Sequence, residues 1–206
     1  LSLVGSDDTV YREKTETAAM VLRLSPCHIR FGSFEYFYHT EQHEELQKLI
    51  NYTTKHHFPS IEPGDTKAFY QAVLEKTAKL IAQWQTVGFC HGVMNTDNMS
   101  IIGETFDYGP FAFMDDYDPE FICNHSDYQG RYSYKMQEKI GMWNCCRLAE
   151  SLRELMTVAE LNEIIQTYPK IFKAEYLRLM RAKLGLQKAD ELDEFLVEKL
   201  MELLAE

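Results

Sequence analysis

The sequence predicts an α+β fold that is predominantly helical, with a β component confined to short segments. Three observations carry that expectation. Apolar residues recur three and four apart through most of the chain beyond residue 40, the spacing of helices that bury one face. Strand-like runs are few and short, at residues 1–4, 19–24 and on either side of Gly103. At 206 residues and 45% hydrophobic, the chain is long enough to bury one sizeable core.

In chain order, Leu1, Ser2, Leu3 and Val4 read as part of a strand, and the run from Ala19 to Leu24 reads as another, carrying Arg23. Arg30 follows between Ile29 and Phe31. A guanidinium in such an apolar setting takes a bidentate anionic partner, which leaves two readings open, a structural carboxylate or a phosphate. Leu46, Leu49, Ile50 and Thr53 mark a short helix that stops near Pro59, and residues 59–65, with two prolines and a glycine, read as a loop. The strongest signal lies at residues 66–87. Phe69, Tyr70, Val73, Leu74, Thr77, Leu80, Ile81 and Trp84 make an amphipathic helix ending near Gly88. Ile140, Trp143, Leu148, Leu152 and Leu155 outline a further helix. Leu161, Ile164, Ile165 and Tyr168 begin another, which Pro169 is expected to break or kink. The tail places Leu192, Phe195, Leu196, Leu200 and Leu203 on one stripe.

The chemistry concentrates in residues 91–111. Two short runs, 99–102 and 103–106, flank the Ile102–Gly103 bond, and glycine supplies the positive φ that tight turns use. A hairpin folded there sets Asn98 opposite Asp107, and an amide oxygen beside a carboxylate is half of a Mg²⁺ site. Asp97 then stands next to the metal, as a candidate base. The order of parts resembles the protein-kinase catalytic core, in which His-Arg-Asp-(four residues)-Asn precedes Asp-Phe-Gly. His91 and Asn98 keep that spacing, and Asp107-Tyr108-Gly109 stands for Asp-Phe-Gly. The departure is Val93, at the position of the catalytic Asp, which leaves two readings: a kinase core without its base, or one in which Asp97, beside Asn98, has taken over as base or as a further metal ligand.

The continuous run HGVMNTDNMSIIGETFDYGPFAFMDDYDPEFICNHSDYQGRY, residues 91–132, closely resembles selenoprotein O. So do Ile29-Arg30-Phe31-Gly32-Ser33-Phe34-Glu35 and Leu80-Ile81-Ala82-Gln83-Trp84, and the likeness extends more weakly over nearly the whole chain. The resemblance implies a kinase-like fold that binds ATP turned end for end and transfers AMP to Ser, Thr or Tyr hydroxyls of proteins. It implies Asp97 as catalytic base, Asn98 and Asp107 as ligands of Mg²⁺ (Mn²⁺ being the alternative), and Arg23 and Arg30, with Asp107, as the nucleotide contacts. It also implies that residues 1–206 are one C-terminal lobe. Residues 1–30 would be the strand and hinge towards an N-terminal lobe before Leu1, residues 31–206 the helical body, and a family tail would follow Glu206. A piece of this kind is expected to be inactive alone.

Composition narrows the function classes. A net charge of −11 argues against a nucleic-acid partner, which requires a clustered basic face. No apolar run approaches the roughly 20 residues of a membrane span. No Gly-x-Gly-x-x-Gly occurs among the 10 glycines, and no Val-Ala-Ile-Lys-like strand supplies a phosphate-pairing lysine. Five cysteines without a Cys-x-x-Cys pair (Cys27, Cys90, Cys123, Cys145 and Cys146) read as thiols of a reduced intracellular compartment, cytoplasmic in a bacterium or mitochondrial in a eukaryote. Cys123 is either a plain buried thiol or the partner of a C-terminal residue of a longer chain.

Other constellations have plain readings beside the functional ones. His39 and His43 stand at i and i+4 among Glu41, Glu44 and Glu45, a zinc spacing or a solvated face. His56 and His57 close a helix, where a cationic ring complements the dipole. Asp115, Asp116 and Asp118 form either a cation-attracting cluster or a solvated turn before Pro119. Asn124, His125, Ser126 and Asp127 with Arg131 contain the residue types of a triad, but as sequence neighbours they more simply shape the substrate side of a cleft. Two rival functions remain open at this level: a conventional kinase-like phosphotransferase, and a non-catalytic pseudokinase that acts as a binding module.

Overall fold

A computed structural model of the chain describes residues 2–11 and 14–206. About half of the chain is helical, beside two small two-stranded sheets. The first sheet is an antiparallel hairpin of β1 (Ser2–Tyr11) and β2 (Thr15–Leu22), with Leu3 opposite Val21, Val4 opposite Met20 and a register shift between Gly5 and Thr9. Leu1, expected in the first strand, lies outside the described residues. The strand expected at 19–24 ends at Leu22, so Arg23 and Leu24 leave the ladder. Leu3, Val4, Met20, Val21 and Leu22 are all exposed.

Among the described residues seven α-helices follow: α1 (Phe31–His39), α2 (His43–His57), α3 (Thr66–Val87), α4 (Gln137–Ser151), α5 (Val158–Ile165), α6 (Tyr168–Leu184) and α7 (Asp193–Leu204). The central one, α3, has the bounds its periodicity predicts. The Asp65 carboxylate caps its start by accepting from the Ala68 N–H at 2.9 Å, and Gly88, at φ 68°, ends it in the left-handed conformation that suits glycine. Phe69, Tyr70, Val73, Leu74 and Ile81 on α3 are fully buried, packed among α1, α2, α4, α5 and α6. Aromatic contacts from Phe69 to Phe34 and to Phe58, at 5.9 and 5.5 Å between ring centroids, join α3 to the chain before it. The second sheet, β3 (Phe89–Cys90) with β4 (Ala112–Phe113), is antiparallel and brackets the segment that carries the chemistry.

Three expectations change. Pro169 does not break a helix: α5 ends at Ile165, and Pro169 sits in the first turn of α6, where the N–H it lacks would have no helical partner. Gly185, at φ 72°, closes α6. The stripe expected on α7 is not buried: Leu192, Phe195, Leu196 and Leu203 are exposed, and the helix is held by Val197 and by Asp193, which pairs with Arg181 at 3.3 Å. Finally, His39 ends α1 and His43 begins α2, so the two do not share a helix. No helix among the described residues is long and apolar enough to cross a membrane.

Candidate active site

Two buried polar side chains on α4 hold the loop after β3. Gln137 donates to the Phe89 carbonyl and accepts from the His91 N–H, both at 2.9 Å; Asn144 donates to the Met94 and Ile140 carbonyls, also at 2.9 Å. Both residues are fully buried, so losing the bonds they make there would carry a desolvation penalty of about 1–3 kcal/mol; Gln137 uses both its amide nitrogen and its oxygen, whereas Asn144 uses its nitrogen and leaves Oδ1 without a partner. Nothing in the chemistry of the loop names them. Their signal is positional, because they lie at i−3 and i+4 from Ile140, on the apolar stripe of the helix.

The His91 ring is buried against Trp84, with ring centroids 5.3 Å apart. Its Nδ1 accepts from the Val93 N–H at 3.4 Å, which leaves Nε2–H to donate to the Phe106 carbonyl at 3.1 Å. Burial holds the imidazole below its ordinary pKa, so the ring is neutral. It ties the loop to the backbone just before Asp107. The loop closes on itself through Asn98, whose Nδ2 donates to the Val93 carbonyl at 2.9 Å, so the atom Asn98 can offer a cation is its oxygen.

The expected hairpin is not formed. Gly103 makes the turn, at φ 72° with its N–H on the Ser100 carbonyl, but residues 104–107 do not return as a strand. The backbone of 99–101 pairs instead with 29–31: Phe31 N–H donates to the Met99 carbonyl at 3.0 Å and Ile101 N–H to the Ile29 carbonyl at 3.1 Å, around an Arg30–Ser100 bridge. Met99 and Ile101 are buried, so their backbone groups need partners, and the start of α1 supplies them.

That pairing brings Arg30 to the centre of the site. Its Nη1 donates at 2.7 Å both to the Asp97 carbonyl and to Asp107 Oδ2, and its guanidinium lies 4.9 Å from the centre of the Phe106 ring. The carboxylate open to Arg30 is that of Asp107. Asp107 adopts φ 64°, uncommon for a residue with a side chain, and the arginine helps to hold it there. Arg23 lies 5.4 and 5.6 Å from the Phe106 and Tyr108 ring centres, and its Nε is buried without a hydrogen-bond partner. It lines a cleft of about 720 Å³ together with His28, Glu104, Asp107, Tyr108 and Phe111. A guanidinium that lines a cleft and is left with an unpaired Nε suits an anionic ligand. Asn98 and Asp107 offer amide and carboxylate oxygens, the donor types that Mg²⁺ takes.

The remaining candidates are placed as follows. Among the described residues no three His, Cys, Asp or Glu side chains are placed to hold a metal ion. Asp115, Asp116 and Asp118 are exposed, and Asp118 caps its own turn by accepting from the Glu120 N–H at 2.8 Å. The Ser126 hydroxyl donates to Asn124 Oδ1 at 2.7 Å, and Asp127 accepts from the Arg131 and Tyr132 N–H groups. All five cysteines are free; the Cys123 thiol donates to the Cys90 carbonyl at 3.4 Å.

Comparison with known proteins adds an independent line. The family model described as "Protein adenylyltransferase SelO" matches residues 1–206. The chain is 52% identical over 206 residues to a protein named "Protein nucleotidyltransferase YdiU" of Ectopseudomonas mendocina, covering 99% of this chain and 42% of the relative. Relatives of the same name from Pseudomonas fluorescens and Stutzerimonas stutzeri are 52% and 50% identical over 98% and 99% of this chain, and 42% of each relative is covered. The chain thus spans well under half the length of the curated relatives it matches.

Proposed function

The chain belongs to the protein adenylyltransferase SelO family, and on that premise we propose that it carries the catalytic loop of an enzyme transferring AMP from ATP to Ser, Thr or Tyr hydroxyls of proteins. Residues 31–206 are read as the C-terminal lobe of a kinase-like fold, with residues 1–30 as its strand and hinge. The observation that carries the reading is the junction at Arg30. One guanidinium nitrogen gathers the Asp97 carbonyl and the Asp107 carboxylate from sequence positions ten apart, beside a cleft lined by Asp107 and by a second arginine whose Nε is unpaired.

In this reading Arg23 takes the phosphates of ATP, and Arg30 joins it once a polyanion competes for its guanidinium. Asn98 and Asp107 hold Mg²⁺, with Mn²⁺ as the alternative; the ion supplies neutralisation of phosphate charge. Asp97, exposed at the mouth of the loop, orients the acceptor hydroxyl and takes its proton as the oxygen attacks the α-phosphorus. The bond from the α-phosphorus to its bridging oxygen breaks and pyrophosphate leaves. Val93 takes no part in the proton transfer; its backbone N–H and carbonyl serve His91 and Asn98.

The test uses a chimera in which these 206 residues replace the matching region of the Ectopseudomonas mendocina relative, with the 206-residue chain run beside it. Each is incubated with Mg²⁺ and ATP labelled at the α- or the γ-phosphate. Protein-bound label from the α position alone is expected in the chimera. Label from γ alone makes it a phosphotransferase, and no label in a protein that binds Mg–ATP makes it a binding module.

A further inference from the structure

Gly32 is a glycine in a place where helix energetics favour almost anything else. It lies in the first turn of α1, its φ is not positive, and nothing in the turn asks for its conformational freedom. What it avoids is a collision. A Cβ built on Gly32 would overlap Asp97 Oδ1, lie 3.0 Å from Asp97 Cγ and 3.6 Å from Asp97 Cα. The carboxylate of Asp97 therefore rests in the space that a side chain at 32 would fill, at the positive end of α1.

The helix cannot retreat to make room. Phe31 and Phe34 are fully buried, the Phe31 N–H is bonded to the Met99 carbonyl, and Glu35 is bonded to Arg147 of α4 at 3.0 Å. The Asp97 backbone is fixed from the other side by Arg30. Only the far end of the Asp97 side chain is free to move. We propose that Gly32 is a positioning residue, whose missing side chain sets where the Asp97 carboxylate stands and hence where it meets an acceptor hydroxyl. This rests on the reading of Asp97 as base, and the two claims fail differently in the test below.

In Gly32→Ala the carboxylate must swing away while the fold persists. The midpoint of thermal unfolding of the 206-residue chain is expected to hold or to rise by up to about 4 °C, as for a helix that gains an alanine. The side-chain carboxyl ¹³C resonance of Asp97, identified by its loss in Asp97→Ala, is expected to shift. In the chimera kcat for α-phosphate transfer should fall at least tenfold, with KM for ATP unchanged within twofold, as for a loss felt only in the transition state. In an Asp97→Ala background Gly32→Ala should add no further loss. If Gly32→Ala fails to fold, the Gly32→Ala/Asp97→Ala pair decides: a folded double variant confirms the collision, and an unfolded one overturns the proposal. An unmoved Asp97 resonance in a folded Gly32→Ala chain also overturns it and leaves Asp97 as base untouched. A shifted resonance with unchanged kcat removes Asp97 from the proton transfer, and the proposal with it.

Discussion

Replacing Arg30 by methionine keeps an aliphatic stem and deletes the charge at the junction of the site. Three interactions are lost. The hydrogen bond to the Asp97 carbonyl at 2.7 Å is worth about 1 kcal/mol net. The ion pair with Asp107 joins side chains that are 33% and 38% exposed, so solvent screening limits it to about 1 kcal/mol. Stacking on Phe106 adds about 0.5–1 kcal/mol. The three depend on one guanidinium position and overlap, so the expected loss is about 2 kcal/mol rather than their sum. Arg30→Lys keeps a charge but not the planar donor fork, and should lose about 1 kcal/mol. Urea unfolding followed by tryptophan fluorescence reads the difference, because Trp84 is buried 21 residues before Thr105, whose hydroxyl its indole N–H meets at 2.7 Å. A loss below about 0.5 kcal/mol in both variants would mean that the bridge is not part of the folded state, and would remove the argument that Arg30 assembles the site.

Asp107→Asn, which tolerates the left-handed conformation but lacks the charge, should weaken Mg–ATP binding by the chimera at least tenfold, measured by titration calorimetry. Gly141→Ala should destabilise the chain by about 1–2 kcal/mol, since the added methyl collides with Tyr168 Oη and lies 3.0 Å from Ile81 Cγ1 inside the core. Because that hydroxyl is buried without a partner, Tyr168→Phe alone should cost little and should restore part of the loss in the double variant. His91 is held below its ordinary pKa by burial, so the unfolded chain binds a proton that the native chain refuses. Stability contributed by the neutral ring is full above about pH 6.5 and falls as pH drops towards the native value, by at most about 1.4 kcal/mol per pH unit. Unfolding midpoints from pH 7.5 to 5.5 should show a shallower fall in His91→Gln than in the parent chain, and parallel curves would contradict the assignment.

Features under short-range control could be read along the chain. The bounds of α3 were legible because its apolar spacing, the loop before it and its Gly88 stop lie within one segment; the Asp65 cap is what the structure adds. Asp97, Asn98 and Asp107 were grouped as candidates by their residue types and order, and Arg23 and Arg30 by what the family resemblance implies. The tertiary structure decided how those residues meet. Residues 99–101 had two candidate partners, a local return strand or the distant 29–31 segment, and burial of Met99 and Ile101 against the start of α1 selected the distant one. No periodicity distinguishes the two, since both satisfy the same backbone groups. The same holds for Gln137 and Asn144, whose amides matter only because β3 and the loop lie across α4. Pro169 suits the start of a helix as well as it breaks one, and the turn before it fixed which. Gly32 is the clearest case: its role is the space that Asp97, 65 residues later in sequence, occupies beside it, and a residue's neighbours in space are what a linear pattern leaves unwritten.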